Sequence, residues 1–147
     1  MSHTNVSNIN ESVHKTQLWL NELTETGVFE DQNQAYSGLR AVLQTLRDRL
    51  TVDEAVHLAS ELPMVVRGFY YEGWKPSSMP SSIETPDEFD ERIRHHLSQG
   101  SNIDPRAATR AVFGLLSERI SDGEIAHVRD VLPEEIRDLW PEASVER

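Results

Sequence analysis

Histidine and carboxylate are the residue types in this chain that could bind a metal or move a proton. It has six histidines and 25 aspartates and glutamates, and no cysteine. Thiolate zinc sites and disulfides are therefore excluded. His57 and His127 occupy matching places in two related segments. They can be read as paired metal ligands or as a proton-sensitive contact. They can also be read as capped, partly buried histidines bonded to backbone, present twice because one unit was duplicated. Duplication alone accounts for the match, and neither a His-x-x-x-His nor a His-Glu-x-x-His spacing occurs. The expectation is no metal site and no cofactor, with His57 and His127 as the residues to watch. His95 and His96 are adjacent, which on a helix points their rings ~100° apart, a poor chelate.

The carboxylates have a local explanation. Thr51-x-x-Glu54 and Ser121-x-x-Glu124 read as capping boxes, in which hydroxyl and carboxylate each satisfy a free backbone N–H. Glu54 and Glu124 lie on separate helices of separate segments, and nothing in the sequence joins them as a catalytic pair. No Gly-x-Ser-x-Gly elbow and no glycine-rich phosphate loop is present. An enzyme is therefore not the expectation, and a metal-dependent enzyme using the two histidines is the third choice.

Two further groups are candidates for binding. Arg40/Arg110, Arg49/Arg119 and Arg67/Arg137 are matched arginines, suited to anion binding or, more simply, to ion pairing with the abundant carboxylates. The segment Arg67 to Trp74 gathers Phe69, Tyr70, Tyr71 and Trp74. It is either a contact patch for a partner or, the favoured reading, a wedge sealing the two copies together. Arg67, Phe69, Tyr70, Tyr71, Trp74, Arg137 and Trp140 are the interaction candidates.

The elements that must position these residues come from an internal repeat. Residues 35–70 align without gaps with 105–140, and ten of the 36 positions are identical, where chance gives about two. The identities include Arg40/Arg110, Ala41/Ala111, Val42/Val112, Glu54/Glu124, His57/His127, Leu62/Leu132, Pro63/Pro133 and Arg67/Arg137. Leu39, Val42, Leu43, Leu46 and Leu50 follow the spacing of one buried helical face. Ala111, Val112, Leu115, Leu116 and Ile120 do the same in the second copy. Thr85-Pro86-Asp87-Glu88 and Asp104-Pro105 open further helices, and Pro63 and Pro133 interrupt theirs. Helices are expected at about 7–26, 33–49, 52–62 with 64–71, 86–98, 105–119, and 122–131 with 134–140. The fold class is all-α: two tandem three-helix repeats packed as one compact helical domain about a pseudo-twofold axis. Repeat one covers about 7–71, a proline- and serine-rich linker 72–84, repeat two about 85–140, and a short tail 141–147.

Composition narrows the setting. The formal charge is −11, and Lys15 and Lys75 are the only lysines among 14 basic residues. Nucleic-acid binding needs clustered basic residues to neutralise phosphates, so it is not expected, and acidic membranes are disfavoured for the same reason. No stretch approaches the ~18–20 apolar residues of a membrane span. The first ten residues lack the basic start and apolar stretch of a signal peptide. A cytoplasmic, reducing location is expected. Acidity with scarce lysine also suits a salt-adapted protein, although a GC-rich genome yields the same arginine bias.

Each repeat carries R-A-V, then L-x-x-R-[LI]-[TS]-x-x-E-x-x-H, then L-P with an arginine four residues after the proline. Gly68-Phe69-Tyr70-Tyr71-Glu72-Gly73-Trp74 follows the first. In these features, over roughly Val13 to Glu142, the chain resembles the uncharacterised bacterial and archaeal family called domain of unknown function 2267. The resemblance implies an all-helical pair of tandem repeats in the cytoplasm, and it implies no activity. The Gly73-Trp74 loop has no counterpart after Trp140. The functional expectation is a non-enzymatic helical scaffold that binds another protein or itself. The alternative is a small-ligand binder with a pocket between the repeats, lined by Trp19, Tyr70, Phe89 and Trp140.

Overall fold

The computed structural model describes residues 4–142, so most of the tail assigned to 141–147 lies outside the described residues. The described chain is helical and has no strand. Its helices are α1 (Ser7–Glu25), α2 (Gln32–Arg49), α3 (Val52–Ala59), α4 (Met64–Tyr71), α5 (Pro86–His96), α6 (Pro105–Arg119), α7 (Asp122–Asp130) and α8 (Glu134–Arg137). The helix starts fall within a residue of those expected, because caps and prolines mark them. The ends of α3, α5 and α8 come two or three residues early.

The α2 helix is the hub, packed against α1, α4, α5 and α6. Its expected apolar face of Leu39, Val42, Leu43, Leu46 and Leu50 is completely buried. Repeat-equivalent helices meet each other: α2 lies on α6, and α3 lies on α7. In the second copy Val112, Leu115, Leu116 and Ile120 are buried with Phe113, while Ala111 is only half-buried. Gly38 lets the Phe29 ring lie directly on α2, where any Cβ would collide with that ring.

Polar side chains fasten the C-terminal end of α4. Gln44 Nε2 donates to the Phe69 carbonyl at 2.7 Å, and Arg47 Nη1 donates to the carbonyls of Tyr70 and Glu72 at 2.7 and 2.9 Å. The Phe69 carbonyl also accepts the Glu72 N–H at 3.3 Å, and the bonds from the buried Arg47 guanidinium to Tyr70 and Glu72 hold the end of the helix. The corresponding residues of the second copy are Gly114 and Ser117, and α8 is only four residues long. The linker is pinned as well: Ser81 N–H donates to the Asp48 carbonyl at 2.7 Å, and Arg49 Nε to the Ile83 carbonyl at 2.6 Å.

Candidate metal centre

The α3 and α7 helices start alike. Thr51 Oγ1 accepts the Glu54 N–H at 3.1 Å, and Ser121 Oγ accepts the Glu124 N–H at 3.3 Å. A histidine follows three residues after each glutamate, so Glu54 and His57 share one face of α3, and Glu124 and His127 one face of α7. Ala55, Leu58 and Ala59 on α3, and Ile125 and Val128 on α7, are buried and fix the rotation of the two helices. The Glu/His faces are thereby turned towards the seam where α3 meets α7.

The reciprocal half of the capping box is absent at both sites, which corrects the assignment of Glu54 and Glu124 to capping alone. At the start of α5, by contrast, Thr85 and Glu88 form a complete capping box. At α7 the reason is visible. Glu61 Oε1 accepts the Ser121 N–H and Glu61 Oε2 accepts the Ser121 hydroxyl, both at 2.9 Å. A glutamate from the first copy thus takes the donor that Glu124 would have used, and Glu124 is free to face the seam.

One ligand atom from each of Glu54, His57, Glu124 and His127 lies within 4.8 Å of every other. His57 Nδ1 is 2.8 Å from Glu124 Oε1 and donates to it; His127 Nδ1 is 3.9 Å from the same oxygen. The two rings are 6.4 Å apart, centroid to centroid. The Glu124 side chain is 0% exposed, whereas those of His57 and His127 are 65% and 63% exposed. The site is therefore a shallow seam with a buried carboxylate floor and two histidines at its mouth. One oxygen each of Glu54 and Glu124, Oε2 in both cases, is buried without a hydrogen-bond partner.

The electrostatics follow from crowding two carboxylates into this seam. Burial pushes the Glu54 carboxyl up to about 7; the Glu124 carboxylate beside it adds to this, and His57 opposes it. His57 is raised above the ordinary histidine value, first by its hydrogen bond to Glu124 and then by that group's charge. Buried, unpaired acceptor oxygens are costly, and a cation between the four groups would satisfy them. Two imidazoles and two carboxylates suit a borderline first-row divalent ion such as zinc, cobalt, iron or manganese. Metal–ligand bonds of about 2.0–2.2 Å place tetrahedral ligand atoms about 3.3–3.6 Å apart, so groups now up to 4.8 Å apart would draw together by about 1 Å around an ion.

The remaining sequence candidates fall elsewhere. Arg40 pairs with Glu72 at 3.4 Å, Arg49 with Glu84 at 3.6 Å, and Arg119 with Glu22. Arg67 donates to the Ala59 and Leu62 carbonyls at 2.9 and 2.8 Å and braces the corner between α3 and α4. The Nε of Arg137 is buried without a partner. Phe69 and Tyr70 are buried, and Tyr71 and Trp74 half-buried. Tyr70 donates its hydroxyl to the Ala55 carbonyl at 2.8 Å, and Trp74 Nε1 donates to Met79 Sδ at 2.8 Å. This segment packs on α1 and α2 of its own repeat. The contacts between copies include α2 on α6 and α3 on α7.

The expected pocket between Trp19, Tyr70, Phe89 and Trp140 does not form. Tyr70 and Phe89 are wholly buried, and Trp140 stacks on Phe113 at 4.0 Å. Rings of this size fill the core instead of lining a space. Of the four, Trp19 borders a cleft between α1 and the α3–α4 corner.

A family model described as "Uncharacterized conserved protein (DUF2267)" matches residues 16–139. No curated protein matches the chain.

Proposed function

The chain belongs to the DUF2267 family, and since membership brings no activity with it, we propose a function from the geometry: the protein binds one divalent transition-metal ion in the seam between α3 and α7. Glu54, His57, Glu124 and His127 are the ligands. The observation that carries this reading is the buried Glu124 carboxylate, with one oxygen unpartnered, facing two exposed histidines and a second carboxylate. A structural ion pair does not need such an arrangement, because it would spend both oxygens on donors. Each repeat contributes one glutamate and one histidine, so the ion joins the two copies. The exposed histidine side leaves coordination positions open to water or to an exchangeable ligand.

Titrating metal-free protein with cobalt(II) or zinc tests this. One equivalent should bind, with cobalt giving the visible bands of a low-coordinate nitrogen–oxygen site. Glu124→Gln and His127→Ala should each weaken binding by about 10–100-fold or more, the usual cost of a damaged metal site. His95→Ala should leave it unchanged. Absence of stoichiometric binding by zinc, cobalt, manganese, iron and nickel sinks the reading.

A second reading, a scaffold for a partner protein or for a second copy, has separate support. Ile9 and Val13 on α1, and Met64 and Val65 on α4, are apolar and 39–47% exposed. The Val65 N–H donates to Ser12 Oγ at 3.0 Å, which sets these side chains beside one another. Exposed apolar clusters of this kind mark contact surfaces. If the patch mediates self-association, Val13→Glu with Val65→Glu should convert a dimer to a monomer in light scattering; a wild-type monomer removes that form of the idea. No helix among the described residues is long and apolar enough to cross a membrane. A cytoplasmic location fits the absence of cysteine.

A further inference from the structure

We propose that the cleft between α1 and the α3–α4 corner binds a small organic anion with an apolar body, its anionic group held by Lys15 and Arg67. None of the four residues of the metal seam lines this cleft, so the inference stands apart from the metal reading. The cleft has a volume of about 590 Å³, within the range of small-molecule sites. Trp19 forms its apolar floor, and Leu18 and Met64 border it at 40% and 47% exposure.

The charges around the cleft are unevenly paired. Lys15, Arg67, Arg119, Glu11 and Glu61 all border it. Arg119 is tied to Glu22, and Glu61 spends both carboxylate oxygens on Ser121. Lys15 and Arg67 have no carboxylate partner among the described residues, which leaves two free cations against Glu11 in a chain of net charge −11. Two of the Arg67 nitrogens, Nε and Nη2, are fixed by the Ala59 and Leu62 carbonyls, and Nη1 remains without a protein acceptor. A half-buried guanidinium held rigid, with a free donor and no counter-ion, is already organised for an anion. The apolar floor favours an anion with a hydrophobic body over inorganic phosphate. A carboxylate and a phosphate monoester share the required chemistry.

The test is calorimetric titration of the full chain with phenylacetate, phenyl phosphate, inorganic phosphate and neutral benzyl alcohol. At least one aromatic anion should bind at 1:1, and benzyl alcohol and inorganic phosphate should each bind about tenfold more weakly, the equivalent of one lost contact. The tighter of the two aromatic anions identifies the head group. Lys15→Glu, on an exposed face of α1, should reduce affinity by about tenfold or more. Met64→Glu should do the same by placing a negative charge at the wall, and Lys75→Glu should have no effect. Circular dichroism establishes that each variant is folded. No saturable binding of either aromatic anion overturns the proposal, as does equal binding of benzyl alcohol or unchanged affinity in both cleft variants.

Discussion

Glu54 and Glu124 show how much can turn on which way one side chain faces. Both were readable as capping residues, and both give their backbone N–H groups to the cap as expected. Their carboxylates do something else: they meet across a seam with one buried oxygen each left unpaired. Two like charges sharing a partly dry site oppose each other. Without metal, Glu54→Gln should therefore stabilise the protein, by about 1 kcal/mol as an order of magnitude for relieving one unfavourable buried charge. With saturating zinc the order should reverse, because the wild type gains the binding energy and the variant has lost a ligand. Melting curves of both proteins with zinc and with chelator measure this. A variant less stable than wild type in chelator would mean that the carboxylate pair is a stabilising structural contact.

The helix starts belong to the next scale. Thr51 and Ser121 are equivalent in sequence, and their capping bonds are equivalent in geometry. Ser121 does more, since its N–H and hydroxyl both donate to Glu61 and join α7 to the end of α3. Thr51→Ala should cost about 0.5–2 kcal/mol, the range for a lost N-cap. Ser121→Ala should cost more than Thr51→Ala in chemical denaturation. Equal losses would show that the Glu61 bridge contributes nothing measurable. At α5 the capping box is complete, and Glu88 accepts the Glu84 and Thr85 N–H groups at 2.7 and 3.2 Å. The Glu84 N–H first, and then that of Thr85, holds the Glu88 carboxyl below its ordinary value. A lowered folded-state pKa means that the unfolded chain binds the proton more readily. The contribution is fully present above the unfolded value of 4.5, and it is lost as pH falls through the lower folded value. Glu88→Gln should flatten that part of the acid-unfolding profile, and an unchanged profile would remove the carboxylate from the cap.

For the whole molecule, charge and repeat decide different things. A net charge of −11 on 147 residues implies self-repulsion that salt screens. If the protein is adapted to salt, its melting temperature should rise from low to molar potassium chloride; a flat series leaves the arginine bias to codon usage. The all-helical class, the eight helix starts and the buried face of α2 were legible in the sequence, because capping, proline placement and apolar spacing are local signals carried within one turn or a few. The repeat alignment also showed that Glu54 and His57 correspond to Glu124 and His127. It did not show that the two pairs face each other. That depends on Leu58, Val128 and their buried neighbours setting the rotation of α3 against α7, a contact across about 70 residues of sequence. The aromatic segment was misplaced for the same reason. Its ring content indicated burial, but which helices it would cover was decided by Gln44 and Arg47 reaching from α2 to its carbonyls. By itself the sequence determined the elements and the residues able to do chemistry. Only tertiary packing decided which of them share a site, because side-chain direction is fixed by long-range burial and not by spacing along the chain.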